Sequence, residues 1–553
     1  MRCAWYWLGA LCCLWAVVVA AAAAPLFRFA DVTTEAGLTP ARVGLYNHAV
    51  AWGDFDGDGL PDLFLGNFAD KGFDATLGQR QPVPNLLFRQ VAGGKFEHFP
   101  CPAVERPARC SGAVFVDLNN DGNLDLYVSS NKLEKSRPGT PGAEGCRLYR
   151  NDGGGKFVDI SESCGACPPT LYRCRDIAVL DYDKDGLLDL LVIQDRVVRQ
   201  DGKVFGSRLF RNLGNHRFED VTHTVGLPED LWGAGVAVGD VNGDQRPDIF
   251  VAYSNRLFLS QPDGTYREAE SLRSVFDHQP ADAEDIVVGA AFGDIDNDGD
   301  LDLITGTHYN HGLSRVHVFL NEGVQAGVPR FREVTRELGI PPLPMKAPHP
   351  EIQDFDNDGW PDLYWSAWFA EGAKRRPFLC RGLGVRDGLP RFAVPSVEMV
   401  RITKKDKLIL NTAPPEGLGM VYYVDGPAVD YDADGRLDFF GGSWPNESSR
   451  LFRNETKAGN WLQVQVQGKK MNRMGVGAVV RLYPAGKAGD RTALWGHREI
   501  TVNGGYSSGR PAVAHFGLGT AGGCDVEVIL PSQAEPVVVT SARANQRLLV
   551  REP

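Results

Sequence analysis

Beyond Ala24 the chain has no apolar run of membrane-spanning length, so nothing in the body of the sequence reads as a transmembrane helix. A surplus of positive charge is also missing. The 58 Lys and Arg stand against 70 Asp and Glu, a net charge of −12, which excludes broad electrostatic binding to nucleic acid or anionic membrane. With 43% hydrophobic and 10% aromatic residues, the chain is not poor enough in apolar side chains to be disordered. A composition suited to long helices is absent as well, because 63 Gly and 35 Pro in 553 residues favour many turns. What remains is a large, acidic, turn-rich β protein.

The first residues stand apart from that body. Met1-Arg2 leads into an uncharged apolar run from Cys3 to Ala23, with small residues from Ala20 to Ala24. This reads as a secretory signal over residues 1–24, and an uncleaved anchor is the competing reading. The expected location is therefore extracellular or periplasmic, at or near a cell surface, with no membrane span after signal removal. Eight cysteines lie past residue 24: Cys101, Cys110, Cys146, Cys164, Cys167, Cys174, Cys380 and Cys524. An even number in an exported chain permits disulfides, Cys101 with Cys110 being the simplest local pair and Cys146, Cys164, Cys167 and Cys174 allowing two more. Cys164-Gly-Ala-Cys167 has no second such pair at zinc spacing.

One pattern organises residues 54–438: Asp-x-Asp/Asn-x-Asp-x-x-x-Asp, seven times over. The copies are Asp54, Asp56, Asp58, Asp62; Asp117, Asn119, Asp121, Asp125; Asp181, Asp183, Asp185, Asp189; and Asp240, Asn242, Asp244, Asp248. Then come Asp294, Asp296, Asp298, Asp302; Asp354, Asp356, Asp358, Asp362; and Asp430, Asp432, Asp434, Asp438. Successive starts are 63, 64, 59, 54, 60 and 76 residues apart, a period that signals stacked supersecondary units. Each copy lies between two short apolar segments, such as Gly235–Gly239 before and Leu190–Val192 after. A third segment of the type Leu209-Phe-Arg-Asn212 and a fourth of the type Phe218-Glu-Asp-Val-Thr222 follow. Four strands per unit describe a propeller blade, and seven units predict an all-β, seven-bladed β-propeller over residues 25–456. The seventh unit lacks its fourth segment, and a solitary copy, Phe29-Ala-Asp-Val-Thr33, stands at the start. The expected ring is thus closed by its own N-terminal strand, which leaves no free sheet edge.

The acidic loops predict calcium. Side chains at positions 1, 3, 5 and 9 of a flexible nine-residue loop converge as hard oxygen donors, a set that suits Ca²⁺ better than Mg²⁺ or zinc. Of the 28 ligand positions 26 are Asp, and without a cation their mutual repulsion opposes folding. Up to seven structural Ca²⁺ ions are expected. Glycine at position 6 allows the sharp turn except at Gln245, and with Asn242 as a neutral ligand the fourth loop is expected to be the weakest.

These loops resemble the FG-GAP/VCBS repeats of integrin α-subunit propellers, and the layout resembles the cartilage acidic protein family with its bacterial relatives. That resemblance implies calcium in the hairpins on one face of the ring. It implies partner contact on the other, through residues 67–81, 129–144, 307–313 and 366–376. From about Lys457 the texture changes to alternating strands such as Asn460–Val466, predicting a small β-sandwich-like domain over residues 457–553. Residues 472–478, 504–509 and 515–519 there resemble the ASPIC/UnbV domain.

No catalytic set emerges. His515 invites comparison with Ser507, Ser508 and Asp525, but no Gly-x-Ser-x-Gly elbow surrounds either serine, and a structural role for His515 is expected. Asn446-Glu-Ser and Asn454-Glu-Thr are glycosylation sequons in a eukaryotic host, and the Lys404–Lys407 run reads as a solvated insertion. The expected function is a secreted, calcium-binding, non-catalytic adhesion or binding module for an extracellular protein or glycan. The alternative is a propeller-based carbohydrate-active lyase or hydrolase with its site on the ring axis.

Overall fold

The structure is a computed structural model that describes residues 27–38, 47–69, 73–74, 79–80, 82–133, 136–137, 139–198, 202, 204–309, 312–400, 418–442 and 448–553. The 1–24 leader, the Lys404–Lys407 run and the Asn446 sequon lie outside the described residues, as do positions 310 and 311 of the 307–313 stretch. The chain is all-β. Short apolar runs separated by Asp- and Gly-rich turns fold as antiparallel hairpins, since each turn reverses the chain within a few residues.

Among the described residues these hairpins build seven successive sheets. The third shows the plan: Cys174–Leu180, Asp189–Gln194, Arg208–Asn212 and Phe218–Asp220 pair in that order. The inner strands are the most apolar and the most buried, Cys110–Val116 and Asn47–Gly53 along their whole length. Each sheet's core mixes residues of two neighbours, as where Leu180, Leu191 and Leu209 meet Val236, Ile249 and Phe258. Inner strands must approach closely at the axis, and a side chain on Gly235 or Gly289 would run into the backbone of Val288 or Pro348.

The last sheet closes across the whole chain. Val424–Asp425, Phe439–Gly442 and Arg450–Asn454 are completed by Phe29–Asp31, with Phe29 opposite Asn454 and Asp31 opposite Phe452. Val32 N–H donates to the Leu451 carbonyl at 2.9 Å, and Thr33 Oγ1 accepts from Leu451 N at 3.0 Å. Behind this clasp lies a dense aromatic core in which Trp368 stacks on Phe452 with centroids 4.2 Å apart. Edge satisfaction and aromatic burial thus act at the same seam.

The C-terminal segment forms two facing sheets. One joins Ala514–Gly519, Asn460–Gln467 and Gln546–Arg551; the other joins Gly496–Glu499, Val479–Tyr483, Gly523–Ile529 and Val537–Arg543. It does not stand clear of the ring as the sequence division at residue 457 suggests. The hairpin of Asn503–Gly504 and Ser508–Gly509 leaves it and joins the first sheet, Val50 pairing with Ser508 and Ala51 with Gly509 in parallel.

This hairpin fills the ring axis. Asn503 Oδ1 accepts from Val179 N at 3.0 Å in the third sheet, and Gly505 O accepts from Ala290 N at 3.0 Å in the fifth. Tyr506 packs on Ala234 and Val288, and its carbonyl lies 3.2 Å from His349 Nδ1 in the sixth. Gly509 lies against Ala113 and Val114 of the second sheet, and Gly504 against Pro427 beside the seventh. The plug therefore touches every sheet. Residues 366–376, expected as an open loop, are instead a long hairpin tip, with Asp362–Glu371 pairing with Lys374–Arg386. Among the described residues no helix is long and apolar enough to cross a membrane.

Candidate metal centres

Each acidic loop links the first and second strands of its sheet, and the same two aspartates shape it every time. The first folds the loop on itself: Asp54 Oδ1 accepts from Gly57 and Asp58 N at 2.7 and 3.0 Å, and its Oδ2 from Gly59 N at 2.9 Å. Position 6 has positive φ throughout, from 61° at Gln245 to 99° at Gly359, so the fourth loop keeps the shape despite losing its glycine. The ninth is a staple. Asp362 accepts from Phe355 N and Gly382 N, both at 2.8 Å, tying position 2 and the third strand together. Asp62, Asp125, Asp189, Asp248, Asp302 and Asp438 repeat this.

The donors converge at five loops. Carboxylate oxygens of Asp54, Asp56 and Asp58, of Asp181, Asp183 and Asp189, and of Asp294, Asp296 and Asp302 lie within 4.8 Å of one another. The same holds for Asp354, Asp356 and Asp362, and for Asp430, Asp432 and Asp438. The second and fourth loops hold Asn at position 3, and the amide turns to its neighbour instead. Asn119 Nδ2 lies 2.9 Å from Asp121 Oδ2, and Asn242 Nδ2 lies 3.3 Å from Asp244 Oδ2. The expected weakness of the fourth loop thus has a counterpart in the second.

The residues fit a hard dication. Position 3 holds a buried carboxylate oxygen with no hydrogen-bond partner at Asp183, Asp296, Asp356 and Asp432. Four repeats leaving the same atom unsatisfied is the pattern of a ligand position, since buried polar atoms otherwise find partners. Burial, reinforced by neighbouring carboxylates, pushes Asp181 up to about 7, Asp298 to about 7, Asp354 to about 8 and Asp430 to about 6. Asp294, Asp302, Asp362 and Asp438 rise well above the ordinary carboxylate range for the same reason. Arginines answer part of the charge from outside: Arg381 reaches Asp356 at 2.5 Å and Asp358 at 2.8 Å, and Arg211 reaches Asp183 at 2.7 Å.

In comparisons with known families, the FG-GAP-like repeat matches residues 54–128, 140–192, 193–251 and 242–305, and ASPIC and UnbV matches residues 468–553. The chain carries FG-GAP-like repeats followed by an ASPIC and UnbV domain. It is homologous to human cartilage acidic protein 1, with 25% identity over 507 residues covering 88% of this chain and 69% of that one. The Xenopus tropicalis protein of that name is 28% identical over 318 residues, 56% of this chain and 44% of its own. Two solved structures are similar to it at a low level. The exotype rhamnogalacturonan lyase YesX has a TM-score of 0.39 at 12% identity, covering 75% of this chain and 72% of that one. An Agrocybe aegerita lectin that recognises non-reducing terminal N-acetylglucosamine has a TM-score of 0.36 at 16% identity, covering 74% and 94%.

The ASPIC and UnbV domain sits on the face that carries the FG-GAP loops. Glu499 accepts from Asp240 N at 2.9 Å, Gln463 Nε2 donates to Asp430 Oδ2 at 2.9 Å, and Asn120 Oδ1 accepts from Arg473 N at 2.8 Å. Arg498, half-buried, lies between the charges of the Asp294 and Asp354 loops. His515 is structural: its Nε2 lies 2.8 Å from Asn357 Oδ1, and burial first, then Arg498, drives it down to about 3. Asp525 is held elsewhere, by Ser541 N and Gly486 N, so His515 has no such acid partner. Ser508 instead lies 3.4 Å from His349 Nδ1, whose Nε2 is 2.8 Å from Glu351 Oε1, all three buried at the axis. Ser508 donates its proton to Gly504 O at 2.6 Å.

Sequence reading missed the amide stitches between FG-GAP repeats. The Asn that ends the third strand donates to position 8 of its own loop and to position 2 of the preceding one. Asn212 reaches Leu188 O at 2.9 Å and Leu118 O at 2.8 Å; Asn151 reaches Leu124 O and Phe55 O; Asn321 reaches Leu301 O and Val241 O. Asn454 reaches Phe355 O, and Gln90 carries the stitch across the closing seam to Tyr431 O, both at 2.8 Å. The repeated Leu-Phe-Arg-Asn was a legible signal. It also corrects the sequon reading: Asn454 is fully buried and committed to this bond, so it is closed to glycosylation.

The eight cysteines are thiols in this structure. Cys164 Sγ donates to Ser161 O at 3.5 Å and Cys174 Sγ to Tyr172 O at 3.9 Å, and both pack in one core with Cys146 and Tyr127. Among the described residues the metal-sized groups are all carboxylate, and the cysteine sulfurs form none.

Proposed function

We propose that the chain is a secreted, seven-bladed propeller clamped by structural Ca²⁺, which binds an extracellular protein or glycan without turning it over. The observation that carries this is the repeated orphan oxygen at position 3 inside three-carboxylate loops. A cation there, held by Asp181, Asp183 and Asp189 and their equivalents in the fifth, sixth and seventh loops, and by Asp54, Asp56 and Asp58 in the first, neutralises the loop and fastens each hairpin. It would act by clamping, with the ninth aspartate already tied to backbone amides.

The face opposite the loops is the free one, because the ASPIC and UnbV domain covers the other. The connections between second and third strands, residues 129–133 and 139–144 and the 366–376 hairpin tip, are the proposed contact for a macromolecular partner. The enzyme reading keeps one favourable observation, the Ser508, His349 and Glu351 chain on the axis. Against it, the chain is sealed by the plug, and the serine proton already belongs to a backbone carbonyl. A screen of the calcium-loaded mature protein against extracellular proteins and polysaccharides tests both. Saturable capture with no released reducing or unsaturated ends supports a binding module, and turnover abolished by Ser508→Ala overturns it.

A further inference from the structure

The ASPIC and UnbV domain does not press evenly on the ring. Over the seventh, first and second sheets it leaves a cleft of about 460 Å³, a size suited to a small ligand and located where two units meet. On the ring side the cleft meets the first aspartates of three loops, Asp54, Asp117 and Asp430. They accept from their own loops, from Gly59 N, Gly122 N and Gly435 N at 2.9, 2.8 and 3.1 Å, and Asp430 Oδ2 accepts from Gln463 Nε2 as well. On the domain side four arginines line it: Arg473, Arg510, Arg547 and Arg551.

Among the described residues none of the four lies within ion-pair distance of a carboxylate, although arginines elsewhere on the protein pair freely, as Arg147, Arg256 and Arg381 do. Arg547 and Arg551 are steadied by Gln463 and Gln467 through Nε at 3.0 Å, which leaves their terminal nitrogens for another acceptor. The Arg473 guanidinium lies against Gly122, and Arg510 is the deep member of the set. Trp52, 1% exposed, closes the cleft from the ring side. Four planar forks around one cavity are donors waiting for oxygen acceptors.

We propose that this cleft binds an anionic oligosaccharide, its carboxylate or sulfate groups held by Arg473, Arg510, Arg547 and Arg551 and its hydroxyls by the glutamine amides. Guanidinium forks match a carboxylate bidentately, and the side-chain amides of Gln465 and Gln467 suit a pair of hydroxyls. Apolar side chains of Phe115, Met474 and Leu549 complete the walls, as sugar ring faces require. The inference deepens the binding-module reading and rests on it: it names a ligand class and moves the small-molecule site to the junction of ring and domain.

The test is calorimetric titration of the full calcium-loaded chain with trigalacturonate, with a sulfated trisaccharide, and with maltotriose as the neutral control. Binding of either anionic probe, with maltotriose silent, supports the site, and the stronger of the two identifies the group recognised. Arg473→Gln with Arg547→Gln, both at exposed positions, should weaken binding about tenfold or more while leaving the melting curve in place. Equal binding of maltotriose, no heat with either anion, or an unchanged affinity in the double variant overturns the proposal. A chain that captures a macromolecule in the wider screen yet ignores both anions sinks this cleft alone and leaves the binding-module reading intact.

Discussion

Replacing Asn212 with Ala isolates the stitch between the second and third sheets. The side chain is 1% exposed and makes three hydrogen bonds that Ala cannot: to Leu118 O at 2.8 Å, to Leu188 O at 2.9 Å, and from Gly214 N at 2.9 Å. At about 1 kcal/mol net for each, the loss is about 3 kcal/mol, and stranding two buried carbonyls keeps it from being smaller. The backbone bond from Asn212 N to Asp189 survives, so the loop itself keeps its staple. Spread over a ring of this size, about 3 kcal/mol lowers the melting midpoint by about 3 °C. Urea titration at fixed calcium is the cleaner assay, because it holds metal linkage constant. The control is Ser260→Ala. Ser260 occupies the equivalent position in the fourth sheet, yet its hydroxyl has no partner, so its removal should change stability by no more than about 0.5 kcal/mol. If Asn212→Ala is as mild as Ser260→Ala, the stitches do not hold the repeats together and the reasoning fails.

Removing calcium should act on a larger scale: five loops, each worth about 1.4 kcal/mol at a tenfold excess of ion over its dissociation constant, give about 7 kcal/mol and a melting shift of about 7 °C. A chelator that leaves the calorimetric trace unmoved would refute structural calcium. Acid should act away from the loops as well. Burial raises Glu268, but hydrogen bonds from Arg273 and Arg256 outweigh it and hold the carboxyl down at about 2, below its ordinary 4.5. A depressed carboxylate stabilises the fold above its unfolded pKa and loses that contribution as pH falls from about 4.5 toward 2. Compared with Glu268→Gln, the native chain should lose up to about 3 kcal/mol more between neutral pH and pH about 2.5, and parallel acid curves would contradict the pairing.

Much of this molecule was legible before any coordinates. Loop shape depends on residues within nine positions of one another, so Asp, Asn and Gly at fixed offsets specify the turns and the converging carboxylates almost alone. Strand order within a sheet is equally local, as is the missing fourth strand that sent Phe29–Asp31 to pair with Arg450–Asn454. The orphan oxygens of Asp183, Asp296, Asp356 and Asp432 needed the fold, because an unmet hydrogen bond is a statement about everything nearby. So did the stitches, whose donors and acceptors come from different repeats, although their asparagines recur in sequence.

The place of the ASPIC and UnbV domain was beyond sequence altogether. Its hairpin meets the first sheet across more than 450 positions of chain, and Tyr506 finds Ala234 and Val288 only once the ring has closed. Periodicity tells a strand which side to bury, but it does not say which distant surface will bury it. The sequence alone determined the repeat, the turn chemistry and the oxygen donors, all set by short-range geometry. Tertiary structure decided which face the domain covers, that the axis is filled, and that four arginines share one cleft, because those depend on shapes that exist only after the sheets have packed.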